Sequence, residues 1–123
     1  MKLKRFEELE CWQAAKILVL AVYEAINASE KFKKDYRLRD QATAAAVSVM
    51  SNIAEGFSRQ SNKEFIQFLY ISKSSASEVQ SIFYVTLELA YINEEIFNKV
   101  YNQADKVSQI NSGLIKYLFS QRK

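Results

Sequence analysis

No proline and only two glycines occur in the 123 residues of this chain, and that absence constrains its fold more than any other feature. Those two residue types supply the restricted and positive-φ conformations that punctuate sheets and tight turns. Without them, long helices joined by short polar connections are the architecture left open. Hydrophobic residues make up 49% of the chain and charged residues 25%, a globular balance rather than that of a disordered tail. A chain of this length can bury roughly two thirds of its unfolded surface around one core, so a single domain over residues 1–123 is expected.

Apolar residues recur every three or four positions in four segments, which aligns them on helix faces. Trp12, Ala15, Val19, Val22 and Ile26 mark the first helix, expected over about 7–29. Leu38, Ala42, Ala45, Val49, Asn52 and Gly56 mark the second, over 35–57. The third, over 62–91, carries Phe65, Phe68, Leu69, Ser72, Ser75, Ala76, Val79, Ile82, Phe83, Thr86 and Ala90. The fourth, over 94–120, carries Phe97, Val100, Ala104, Val107, Asn111, Leu114 and Leu118. Ser61 to Glu64 forms a capping box, Asn93 can cap the fourth helix and Asp35 the second, while Gly56 marks a place where the second helix ends or loosens. Short connections between amphipathic helices force neighbours to run antiparallel. The fold class expected is all-α, an up-and-down four-helix bundle.

A bundle helix needs one apolar stripe, yet Ile17 to Tyr23 is apolar almost all round. On the third helix Tyr70, Tyr84 and Tyr91 fall at heptad-equivalent positions outside the core stripe. Ile17, Leu18, Leu20, Tyr70, Tyr84 and Tyr91 are therefore expected to form a homo-oligomer interface, since exposed aromatic rows mark contacts. A base-stacking platform for single-stranded nucleic acid is the alternative role for such a row.

Several chemistries lack their residues. The chain has no histidine, which removes Glu-x-x-His di-metal sites and Ser-His or Cys-His nucleophiles, and no phosphate-cradling glycine loop is present. Cys11 is the only cysteine and reads as a small helix-face hydrophobe. Carboxylate-only chemistry would have to come from Glu55, Glu64, Glu78 and Glu88. No catalytic residue, cofactor, metal or small-molecule substrate is predicted. The run from Ile17 to Tyr23 is far short of the ~20 residues a membrane span needs, and the basic N-terminus lacks an apolar signal core, so a cytoplasmic location without membrane contact is expected. Asn52 and Asn111 fall on inward seams, where an unpaired amide costs about 1–3 kcal/mol; each is expected to bond the other, Ser72, Ser75 or a buried water.

Seventeen Lys and Arg against fourteen Asp and Glu leave a net charge of +3, a mild basic excess. Up-and-down topology gathers Lys2, Lys4, Arg5, Arg59, Lys63, Arg122 and Lys123 at one end and Lys31, Lys33, Lys34, Arg37 and Arg39 at the other. These are the candidate contacts to RNA or DNA phosphates, strengthened by assembly because each subunit adds its own charge. A protein-binding scaffold without nucleic-acid contact is the competing reading.

The stretch Ser48-Val49-Met50-Ser51-Asn52-Ile53-Ala54-Glu55-Gly56, preceded by Phe6-x-x-Leu9-x-x-Trp12-Gln13, resembles the 23S rRNA-intervening-sequence proteins. The similarity continues through Arg59, Ser61, Glu64-Phe65, Phe68-Leu69 and Ser75-x-x-Glu78. The resemblance implies a small bacterial four-helix bundle forming a barrel-like homopentamer; Asn52, Glu55, Gly56 and Glu78 from the matching stretches, with the seam residue Asn111, are read as a structural signature. Such proteins are named for genes inside inserts in ribosomal RNA genes, and their biochemical function is generally unassigned. A similar bundle, the accessory protein of diversity-generating retroelements, is a basic pentamer that binds nucleic acid and a reverse transcriptase. This chain departs from the pattern at Met50, where many members carry proline, at Thr43 and Ala44, where many carry two arginines, and at Ser74, where glycine is common.

Overall fold

The computed structural model describes residues 3–121. Helix α1 spans Glu10–Asn27, α2 Glu30–Lys34, α3 Tyr36–Phe57, α4 Asn62–Glu88 and α5 Glu94–Ser120, with a 3-10 turn at Phe6–Glu8 before them; no strand occurs among the described residues. Each of α1 and α4 packs against both α3 and α5. The four long helices thus form an antiparallel square in which α1 and α4 occupy diagonal corners.

The first helix begins later than its periodicity suggests, for a local reason. The Glu8 carboxylate accepts the backbone N–H groups of Lys4 (2.9 Å) and Arg5 (3.0 Å), closing a 3-10 turn. Leu9 then leaves the helical conformation with ψ 131 and buries its side chain. Phe6 meets Trp12 edge-on at 5.3 Å, and the Gln13 amide donates to the Glu7 carbonyl. Cys11, the first inward side chain of α1, is buried, and burial pushes its thiol pKa up to about 12.

A short fifth helix, α2, interrupts the connection that follows. Ser29 accepts from the Phe32 N–H at 3.1 Å and starts it; Asp35 ends it and caps α3 by accepting from Leu38 N–H at 3.1 Å. Phe32 lies fully buried beneath α2, edge-on to Phe83 at 5.8 Å and 6.0 Å from Tyr91. It closes this end of the core.

Ser61 caps α4 through the Glu64 N–H and Asn93 caps α5 through the Ile96 N–H. The α4 helix stops at Glu88, before residue 91, because Ala90 adopts φ 58. The Tyr91 N–H bonds the Thr86 carbonyl and the Ala90 N–H bonds that of Leu87, a Schellman closure built without its usual glycine. The inward rows of α3 and α4 follow the expected stripes, except that Leu38, Asn52 and Phe68 are half-buried, Ala90 lies exposed beyond the helix and Ile66 turns in; on α5, Ile115 is buried and Leu114 only half-buried.

The α3 helix ends one residue past Gly56, at Phe57, as its expected bound has it. Gly56 lets α3 and α4 approach: a Cβ there would lie 2.7 Å from the Phe68 Cβ and 2.9 Å from the Phe65 Cδ1. The first of these atoms is anchored to the backbone and cannot swing aside. Gly56→Ala should destabilise the protein by about 1–2 kcal/mol, since overpacking costs roughly 1–3 kcal/mol and alanine recovers up to about 1 kcal/mol in helix propensity. Urea unfolding measures it; an unchanged midpoint would mean that the hairpin relaxes freely.

Candidate functional site

The two residues with the most inward polarity resolve differently. Asn111 is fully buried and its amide donates to the Ser72 hydroxyl at 3.0 Å, while Ser72 donates to the Val49 carbonyl at 2.7 Å. This chain ties α5 to α4 and α4 to α3. The Asn111 Oδ1 has no partner among the described residues. Asn52 is only half-buried and bonds its own helix, donating to the Ser48 carbonyl at 2.8 Å and hydroxyl at 2.9 Å; the Ser48 hydroxyl in turn meets that of Ser75 at 2.9 Å. Ser72→Ala should cost about 1–3 kcal/mol, because it strips the Asn111 amide of its partner. A Ser72→Ala/Asn111→Leu double variant should regain most of that in denaturant unfolding.

Of the remaining signature residues, Glu55 has a local duty. Glu55 pairs with Arg59 at 2.9 Å, and the Arg59 guanidinium lies 4.7 Å from the Phe68 ring centre, so the ion pair clasps the α3–α4 turn. Glu78 is exposed on α4. Among the described residues no cluster of three His, Cys, Asp or Glu side chains could hold a metal ion, and no helix is long and apolar enough to cross a membrane.

Of the expected interface residues, Ile17 and Leu20 on α1 and Tyr70 and Tyr84 on α4 are about half exposed. Tyr23 joins the first pair, and Ile71 and Val85 the second; these three were not singled out from the sequence. Two assignments are corrected. Leu18 is 0% exposed and belongs to the core, because a fully apolar run hides which of its members face inward. Tyr91 lies beyond the end of α4, stacks on Phe32 and donates its hydroxyl to Asp35 Oδ2 at 2.9 Å. That bond to the carboxylate raises the Tyr91 pKa.

The apolar faces differ in shape. On α1, Ile17, Leu20 and Tyr23 protrude within about 9 Å of helix length. On α4, Ile71 and Tyr84 stand about 20 Å apart, and between them the exposed positions are Ser74, Ser77 and Ser81 together with Glu78, which lies seven residues from both Ile71 and Val85 on the same line of the helix. Since α1 and α4 are diagonal, these faces point away from opposite sides of the bundle.

The basic residues separate into engaged and free. Arg5 pairs with Glu7 at 2.6 Å, Lys33 with Glu30 at 2.9 Å, and Arg39 with Asp40 at 3.0 Å, while Arg59 is held by Glu55. The side-chain hydrogen bond between Arg5 and Glu7 raises the pKa of the first and lowers that of the second. Lys4, Lys31, Lys34, Arg37 and Lys63 make no ion pair among the described residues. Lys2, Arg122 and Lys123 lie outside the described residues. A groove of about 380 Å³ opens at the N-terminal end, floored by Phe57, Phe65 and Leu118 and edged by Arg59, Asn62 and Gln121.

An antiparallel four-helix bundle with polar cross-ties, two outward apolar faces and basic ends is the class of protein that this geometry defines. The chain belongs to the 23S rRNA-intervening sequence protein family, which it matches over residues 7–113. It is also similar to the crystal structure of a protein of unknown function from the S23 ribosomal protein family of Bacteroides thetaiotaomicron, with a TM-score of 0.77 and 20% identity over 86% of this chain and 98% of that one. That similarity is one of fold. No curated protein matches the chain.

Proposed function

We propose that the protein is a non-enzymatic bundle that assembles with copies of itself into a closed ring, and that the ring contacts RNA or DNA backbones through its basic ends. The observation that carries the reading is the pair of apolar faces on diagonal helices. A two-fold dimer would cover one face twice and leave the other in water. Head-to-tail pairing of α1 with the α4 of the next copy covers both, and it closes when the rotation between copies allows. Both helices start at the same end of the bundle, so they run parallel across this contact and each basic end is repeated around one rim. The family resemblance favours five subunits. Each copy brings a charge of +3, and phosphate affinity grows with the number of counterions released.

Anisotropy with labelled ribosomal RNA fragments at two salt concentrations tests the nucleic-acid part. Binding that weakens steeply with salt is expected; no binding even at low salt would contradict it. The ion pairs that occupy Arg5, Lys33, Arg39 and Arg59 favour a second reading, a scaffold for another protein. A partner that copurifies from the native host and survives nuclease treatment would support that alternative.

A further inference from the structure

Tyr36, the first residue of α3, is 63% exposed, more than any other large apolar or aromatic side chain described. The ring is also held in place: the Arg39 guanidinium lies 4.8 Å from its centre. Arg39 is fixed in turn by Asp40 at 3.0 Å and by donating to the Lys33 carbonyl at 3.3 Å. Its charge is spoken for, so Arg39 acts here as a positioning residue for the tyrosine rather than as a free phosphate contact.

Close in sequence to this stacked pair are Lys31 and Lys34 on α2 and Arg37 on α3, all exposed and all without an ion pair among the described residues. Of the acidic groups at this end, Glu88 closes α4, which packs against α3, and is exposed without an ion pair among the described residues. Glu30 pairs with Lys33, Asp40 with Arg39, and Asp35 serves the α3 cap and the Tyr91 hydroxyl. Glu94 and Glu95 begin α5, which sits at the corner diagonal to α3. The surface therefore combines an open aromatic ring, braced from one side, with three cations that make no ion pair among the described residues, while Asp35 keeps its charge beside them. A duplex would present phosphates but no open base; an acidic protein that buries the ring is the alternative, tested with polyglutamate. Single-stranded nucleic acid uses ring and cations together, because its unpaired bases stack on aromatic rings while the backbone lies along cations.

We propose that Tyr36, braced by Arg39 and flanked by Lys31, Lys34 and Arg37, is a base-stacking site for single-stranded RNA or DNA. The site rests on the nucleic-acid reading above and specifies it: one end of the bundle, one form of nucleic acid, and a contact that salt does not screen. In a ring it recurs once per subunit on the same rim.

The test compares a labelled oligothymidylate of about 30 nucleotides with a duplex of the same length, at about 50 and 200 mM salt. Tyr36→Ala should weaken single-strand binding by about five- to 150-fold with its salt dependence unchanged, the loss of one stacked base. Tyr36→Phe should bind like the parent. Lys34→Gln/Arg37→Gln should lower the salt slope instead. Helix content measured by circular dichroism checks that each variant folds; Tyr36 is exposed, so it should. Binding of the Tyr36→Ala protein at parental strength, or a duplex held as tightly as the single strand, would overturn the stacking site while leaving backbone contact intact. If neither nucleic acid binds at low salt and polyglutamate does, the stacking site and the nucleic-acid reading fail together and an acidic protein partner takes their place.

Discussion

Phe32→Ala is expected to destabilise the protein by about 3–5 kcal/mol, the usual cost of emptying a fully buried phenylalanine site. Domains of this kind hold about 5–15 kcal/mol in total, so the loss is a large share. The reason is positional. A five-residue helix cannot persist by its own hydrogen bonds, and α2 is held down by the one side chain it buries. Removing that ring takes away the edge contact with Phe83 and the packing surface of Tyr91, and with it the support for the Tyr91–Asp35 hydrogen bond. Urea unfolding should show the lower midpoint, and amide exchange should show Glu30–Lys34 opening before the long helices. A cost under about 1 kcal/mol, within the range of surface substitutions, would mean that α2 is not the plug of this end.

A second large effect is expected at the outward faces. Leu20→Glu on α1 and Ile71→Glu on α4 each place a charge where the proposed contact would bury it, at a cost of several kcal/mol for an unpaired ion. Each variant alone should be monomeric, with helix content intact because both side chains point to solvent in the bundle. Their mixture distinguishes the geometry. A copy with a sound α1 face can still meet a copy with a sound α4 face, so the two variants together should form a one-to-one heterodimer and stop there. Faces that paired like with like would instead leave each variant a homodimer. Sedimentation velocity separates these results.

Much of this molecule was legible in its sequence, and the failures have physical causes. The four long helices follow from apolar spacing, and the caps at Ser61, Asn93 and Asp35 follow from side chains that accept orphan N–H groups. The short helix α2 escaped because one buried residue, Phe32, leaves no periodicity to detect; the serine at 29 was its only signal. The end of α4 was misplaced because a left-handed alanine at 90 does work normally marked by glycine. Gly56 marks the neighbourhood of the α3 end in the sequence, but only packing shows its other role, the close approach of Phe65 and Phe68 across the α3–α4 interface. Among the functional surfaces, α1 was seen to be too apolar, but only packing shows that Leu18 turns inward while Ile17 and Leu20 turn out. Charge partners were the least legible. Arg59, Arg39, Lys33 and Arg5 look like free cations in a list of residues, and local geometry assigns each a carboxylate.

Self-association through α1 and α4 is tested most directly by the mass of the protein in solution, measured by light scattering on the eluting peak at micromolar concentration. One 14.2 kDa chain is the unit. A single species at a fixed multiple of that mass, five by the family resemblance and constant on dilution, is the expected result; a monomer with both apolar faces in water would contradict it.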